Sequence, residues 1–311
     1  MIHSFTVTNH LGESLVLTLA DPDSSGLAIE SVTGLGQVQA DVNLTKLAGS
    51  DYSAVNSANL TTRNIVFKIR YWGDNIEASR HTCDKYFPTK KQITLVAKTD
   101  ERELMLTGFV EKNEPNIFSK ESGCQVSILC PDPFWYSLTE KSTTFNGIDP
   151  MLEFPFETDI ESDDTIHTLE FGDIRTIKDT TVYYTGEAEV GITIKIHATG
   201  SVRGLVFYNL DKRQQIPIND EILKQITSDA EHGISGSSIQ QGDDIIISTV
   251  KTKKFATLIR NGKSYNIINA LGNDRSWFEL SRGDNLFSYS ASEGEYNLII
   301  EIKNRVLFEG L

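Results

Sequence analysis

Apolar and polar positions alternate with a period of two along several stretches of the first half of the chain: "HSFTVTN" from His3, "SLVLTLA" from Ser14, "RNIVFKIRYW" from Arg63, "KQITLVAKT" from Lys91, "ELMLTGFVEKN" from Glu103 and "GCQVSILC" from Gly123. These runs are also rich in β-branched and aromatic residues. Alternation of this kind sends one face of a strand into a core and the other into water, so the first half is read as mostly β.

One segment breaks the pattern. In "DNIEASRHTCDKYFP", residues 74–88, Asp74 stands three positions before Glu77 as in a capping box and Pro88 closes the run, which predicts a helix. Ile76, Ser79, Cys83 and Tyr86 or Phe87 recur at helical spacing, a narrow apolar face for packing on a sheet. Between Asp41 and Arg63 the residues are small, polar and turn-prone for about twenty positions, too many for an ordinary connection in a compact domain, so this stretch is read as a long loop of the kind that is either mobile or used.

The first half closes on "CQVSILCPDPFWY", residues 124–136. Period-two alternation places Cys124, Val126, Ile128 and Cys130 on one face of a strand. Six residues of strand span about 20 Å, whereas a disulfide needs Cα atoms within roughly 7 Å, so Cys124 and Cys130 cannot bridge. Pro131 and Pro133 then remove ladder donors, and Phe134, Trp135 and Tyr136 are expected to pack at a domain boundary. Beyond it at least seven more strand-like runs follow, separated by turn signals such as Asn261-Gly262 and Gly242-Asp243, with the acidic "ETDIESDD" at 157–164 near the front. Strands at this spacing, without helices between them, point to a sandwich or jelly roll. The predicted fold is mainly β, in two domains, residues 1–137 with one α-helix and residues 138–311.

Composition narrows the class. A chain of 311 residues with 39% hydrophobic and 23% charged positions can bury a core in each half. The net charge is −14, with most of the excess in the second half, which disfavours binding to nucleic acid or anionic lipid through counterion release. No basic and apolar leader pattern and no run of 18 apolar residues is present, so synthesis in the cytoplasm and no membrane span are expected.

Chemistry-bearing motifs are sparse. The six histidines, at 3, 10, 81, 167, 197 and 232, show no H-x-x-x-H or H-x-E spacing for a metal. "GLGQVQ" from Gly34 lacks the third glycine of a dinucleotide loop, and "GISGS" from Gly233 ends on serine where a nucleophile elbow needs glycine. Trp72, Trp135 and Trp277 could stack sugars but suit a core better, and Cys83 reads as inert packing. No catalytic residue, cofactor or metal ligand is expected, and the chain is not read as an enzyme.

In order along the chain stand Arg63-Asn64-Ile65, the helix ending in Tyr86-Phe87-Pro88, Lys90-Lys91, "GFVE" from Gly108 and "CPDP" from Cys130. Together they resemble the first domain of the distal tail proteins, or Dit-type tail hubs, of long-tailed non-contractile bacteriophages that infect Gram-positive bacteria. The second half is similar to that family's galectin-like domain through "GEAEVGITIKIHATG" from Gly186, "DDIIISTVKTKK" from Asp243, "NGKSYNIINAL" from Asn261, "SWFEL" from Ser276 and "GDN" from Gly283. The resemblance implies a tail-tube-like β-sandwich or split barrel with one helix, followed by a galectin-like jelly-roll β-sandwich. It implies a virion structural protein at the distal end of the tail: a baseplate hub whose homo-hexameric ring continues the tail tube around a central channel for DNA. The implied partners are the tail tube protein, the tail-associated (tail-tip) protein, the tape measure protein and the receptor-binding protein. Within that ring the long polar segment is expected to reach a neighbouring copy, with Gly49, Asp51, Tyr52, Asn59 and Arg63 at or near the inter-protomer contact. The alternative is a carbohydrate-binding protein that uses the second, lectin-like domain for host-surface attachment.

Overall fold

A computed structural model describes residues 1–116, 122–149, 173–176, 178–228 and 235–311. The acidic run at 157–164, His167 and His232 lie outside these. The chain is mainly β and divides into two compact units, Met1–Thr139 together with Arg305–Leu311, and Glu140–Asn304. The closing residues, counted with the second domain on sequence, thus join the first unit.

In the first unit the strands are β1 (Ile2–Thr8), β2 (Ser14–Thr18), β3 (Leu27–Thr33), β4 (Ala40–Lys46), β5 (Ser53–Leu60), β6 (Arg63–Tyr71), β7 (Gln92–Thr99), β8 (Glu103–Asn116), β9 (Gly123–Cys130) and β10 (Trp135–Ser137), with helix α1 (Ile76–Tyr86) between β6 and β7. One antiparallel sheet runs in the order β2-β1-β7-β8-β9-β6-β3. The strand β10 pairs with β8, and also with the short strand Leu307–Phe308.

Alternation in β6 explains its register. Ile65, Phe67, Ile69 and Tyr71 are buried and stand opposite Ile128, Val126 and Cys124 of β9 for the first three, so apolar partners face each other across the pair. A slip of one residue would turn that entire set to water. The Phe67 ring meets Phe5 edge-on at 5.2 Å and Phe87 at 6.1 Å, which ties β1, β6 and the end of α1 into one core. Each such side chain contributes about 1.5–3 kcal/mol on burial.

Two sequence expectations are corrected here. The helix cap is Asn75, whose side-chain oxygen accepts from the Ala78 backbone N–H at 3.0 Å, so the capping-box assignment to Asp74 is one residue early; Ser79 and Cys83 are buried as expected, but Ile76 is exposed. The stretch from Asp41 to Arg63 is not a loop: it is the antiparallel hairpin β4–β5, a two-stranded sheet of its own.

The second unit contains β11 (Lys141–Thr144), β12 (Asn146–Asp149), β13 (Asp173–Thr176), β14 (Asp179–Tyr184), β15 (Val190–Gly191), β16 (Thr193–Ala198), β17 (Val206–Asn209), β18 (Gln214–Pro217), β19 (Asp244–Ser248), β20 (Phe255–Arg260), β21 (Lys263–Asn266), β22 (Glu279–Leu280), β23 (Gly283–Ser290) and β24 (Leu298–Asn304). Two sheets dominate, ordered β11-β24-β16-β19-β20-β21 and β14-β23-β17-β18. Phe145, which continues β11, packs on Phe207 of β17 and Tyr289 of β23 with ring centroids 6.2 and 5.5 Å apart, so the two sheets share one core. The Asn261-Gly262 turn signal joins β20 to β21 with both residues at positive φ, 52° and 76°.

No helix was expected in this half, yet α2 spans Asp220–Thr227, capped by Asn219, whose side chain accepts from the backbone N–H groups of Glu221 and Ile222. Leu223 and Thr227 form its buried face. The local signal was present: an Asn cap, then Asp and Glu in the first turn.

Candidate functional site

The β4–β5 hairpin is the most unusual surface of the first unit, because every residue of both strands is exposed. Its pairing is fixed by the register Ala40↔Leu60, Val42↔Ala58 and Leu44↔Val55, with an irregularity between Asn43 and Leu44 that restores the alignment. Directly opposed residues point to the same side of an antiparallel pair. One face of the arm is therefore apolar, carrying Val42, Leu44, Val55, Ala58 and Leu60. The other carries Asp41 opposite Asn59, and Asn43 opposite Ser57. Leu44 is 54% exposed and Val55 65%. An isolated two-stranded hairpin is marginal in water, and its open strand edges and apolar face are left uncovered by its own unit.

The tip is a turn in which Leu47 N–H donates to the Tyr52 carbonyl at 3.2 Å and Ser50 N–H to the Leu47 carbonyl at 3.3 Å. Gly49 sits there at φ 75°, a left-handed conformation that a side chain would strain. Asp51 is exposed beside it, and Tyr52 is 78% exposed. Gly49, Asp51 and Tyr52 thus cluster at the tip, and Asn59 lies on the polar face near the root.

Arg63 is placed differently. Its side chain is only 1% exposed and points into its own unit, where Nε donates to the Pro133 carbonyl at 2.7 Å, Nη1 to the carbonyls of Gly34 and Gly36 at 2.7 and 2.5 Å, and Nη2 to the Glu309 carbonyl at 2.6 Å. The guanidinium also lies over the Trp135 ring at 5.8 Å. Burial pulls its pKa down from the ordinary arginine range, against a smaller opposing influence of Cys130. Four carbonyl oxygens spread over the charge stand in for the water it has lost. The cation thereby joins the segments on both sides of the arm, the proline turn after β9 and the closing segment. Sequence reasoning had no signal for this clamp, since its acceptors are backbone atoms far apart in the chain.

At the root, the Thr61 N–H and hydroxyl both donate to the Gln39 carbonyl, at 3.1 and 3.0 Å. Gly34 has φ 85°, and a Cβ there would stand 2.0 Å from the Asn64 carbonyl, so the entry strand passes too close to β6 for any side chain. The arm therefore leaves from a root tied by these bonds and this close approach.

Chemistry elsewhere is slight. No group of three or more metal-capable side chains occurs among the described residues. A cavity of about 490 Å³ in the first unit is lined in part by Leu35, Thr99, Asp100 and Arg102. Its Asp100 carboxylate is held below the usual range first by the terminal ammonium and then by His3, whose Nε2 lies 2.6 Å away, so it is a poor proton donor at neutral pH. Of the tryptophans, Trp135 is fully buried, Trp72 donates to Asp23 at 2.7 Å, and Trp277 has the Lys254 and Arg275 cations over its ring at 5.2 and 5.7 Å.

No protein-family model matches the sequence, and no curated protein matches it. Among solved structures, the chain is similar to the Dit protein of phage SPP1, described as a paradigm of the hub adsorption apparatus in phages that infect Gram-positive bacteria. That likeness has a TM-score of 0.61 at 15% sequence identity and covers 97% of this chain and 98% of that one. A chain of the phage P2 baseplate in its activated conformation with Ca matches at a TM-score of 0.51 and 13% identity, over 98% of both chains. The protein therefore has the fold of phage tail-hub and baseplate chains, end to end.

Proposed function

We propose that this chain is a non-enzymatic structural hub of a phage tail tip, and that copies of it close a ring in which the β4–β5 arm of each lies on the next. The observation that carries the reading is the arm: two strands, all of their residues exposed, with one apolar face and no cover from their own unit. A second copy is the occupant that fits. A heterologous contact repeated around a ring closes without leaving an arm bare, and it covers open strand edges. Gly49, Asp51, Tyr52 and Asn59 lie at that contact, while Arg63 holds the root from which the arm reaches it.

The likeness in fold to the SPP1 hub and the P2 baseplate chain supports a location at the distal end of the tail, next to tube, tape-measure, tail-tip and receptor-binding proteins. A hub that encloses a DNA passage should not hold the phosphate backbone, and a net charge of −14 is compatible with that. The second unit is assigned to anchoring the receptor-binding parts.

Size-exclusion chromatography with light scattering tests the assembly. The expected mass is six times the 34.7 kDa of one chain, with a ring and central hole in negative-stain images. A strict monomer at high concentration, unchanged by addition of the neighbouring tube protein, would sink the reading.

A further inference from the structure

The sulfur atoms of Cys83, on the inner face of α1, and Cys124, on β9, stand 3.1 Å apart in the core of the first unit. They are separated by β7 and β8 in sequence, so the juxtaposition is a product of the fold. A disulfide has its sulfurs about 2.05 Å apart, so bond formation needs a closure of about 1 Å. Tyr71 adds a second observation. Its buried hydroxyl makes no hydrogen bond of good geometry, and its influence holds the Cys124 thiol's pKa down. Cys130, the third thiol, is set apart, its sulfur packed near the Ile128 carbonyl at 3.9 Å.

We propose that Cys83 and Cys124 form a redox modification site, which closes to an intramolecular disulfide when the protein leaves a reducing cytoplasm and meets a small-molecule disulfide. The sequence had paired Cys124 with Cys130 only to exclude the bridge, and had read Cys83 as inert; the competent partner for each of Cys83 and Cys124 is the other.

The two thiols differ in readiness. The Cys124 thiol is lowered, first by the hydrogen bond from Cys83 and also by Tyr71, against the opposing effect of burial. Cys83 is raised, first by its hydrogen bond to Cys124 and then by burial. Cys124 also retains 6% exposure where Cys83 has none. Cys124 is therefore the attacking group. Its thiolate displaces one thiolate from the small disulfide and forms a mixed disulfide. Cys83 then attacks the Cys124 sulfur, its proton passing to the departing thiolate, which leaves as the second small thiol. Two protein thiols are oxidised and one external disulfide is reduced to two thiols. The product ties α1 to β9 and closes a loop of about forty residues, which should raise the melting temperature of the first unit by about 10 °C.

The native full-length chain is incubated with oxidised glutathione, unfolded in alkylating reagent and mapped by mass spectrometry without reduction. The expected result is loss of two hydrogens, one linked pair containing Cys83 and Cys124, an alkylated Cys130, and the higher melting temperature. In Cys83→Ser the resolving thiol is gone, so a glutathionyl group should remain on Cys124; in Cys124→Ser no adduct should accumulate on Cys83. Recovery of all three cysteines as alkylated thiols from the oxidised wild-type chain would overturn the proposal, and so would a bridge to Cys130. The wild-type map is decisive by itself should either variant fail to fold.

Discussion

Strands β5 and β6 are separated by only Thr61 and Thr62, yet one is exposed at every position and the other buries every second residue along its whole length. Both are antiparallel strands with a partner on at least one side. They differ in side-chain volume: β6 offers Ile65, Phe67, Ile69 and Tyr71 to the interior, whereas β5 offers Val55, Ala58 and Leu60 with small polar residues between. The first set buries enough area to fix a strand in a monomer. The second is sufficient to hold a hairpin's shape and to dress a contact, but not to draw it onto its own core. The two threonines thus divide a strand that belongs to the core from an arm that does not, and Arg63 is the fastening between them.

The comparison breaks most severely if the fastening is removed. Arg63→Ala deletes a buried charge and leaves four carbonyls without their donor, which should cost about 3–5 kcal/mol in chemical denaturation of the first unit. Arg63→Lys should recover part of that loss, since an ammonium reaches fewer of the acceptors. A loss below about 1 kcal/mol in the alanine variant would mean that the clamp contributes no more than a typical single hydrogen bond.

Next come substitutions confined to the arm. Leu44→Asp with Val55→Asp places two charges on its apolar face, opposite each other, outside the core of the first unit, so that any local loss is confined to the arm. Self-association measured by sedimentation should weaken by about 100-fold, equivalent to about 2.7 kcal/mol, while the unfolding midpoint stays within about 0.5 kcal/mol of the parent. If the midpoint falls and association does not, the arm belongs to folding and the division drawn at Thr61 and Thr62 is wrong. Gly34→Ala tests the root from the other side. A Cβ against the Asn64 carbonyl and a positive φ together predict a loss of about 2 kcal/mol in stability.

The sequence made β6 legible because large apolar side chains at every second position leave one reading. The arm was illegible for the same reason inverted: its pairs are small and half polar, so they resemble loop composition, and no side chain of its own unit covers them. The Arg63 clamp could not be read at all, because Gly34, Gly36, Pro133 and Glu309 converge only after the sheet has formed. The facing thiols of Cys83 and Cys124 are likewise a consequence of α1 folding back on β9. In the second unit α2 was missed although Asn219, Asp220 and Glu221 announce it, because a run of strands on both sides outweighed a local signal of eight residues.

The smallest effect concerns the cap of α1, where the two readings of one helix start make opposite predictions. If Asp74 capped the helix, Asp74→Ala would be the damaging change and Asn75→Ala would be nearly neutral. The observed bond runs from the Ala78 N–H to the Asn75 side chain, so Asn75→Ala should cost about 1 kcal/mol and Asn75→Asp should retain nearly all of the stability, because a carboxylate accepts the same bond and suits the positive end of the helix dipole. Neither change touches the arm, so association should be unaffected in both. A thermal denaturation series on these three variants distinguishes the readings, and a change in association in any of them would show that α1 and the arm are coupled through β6.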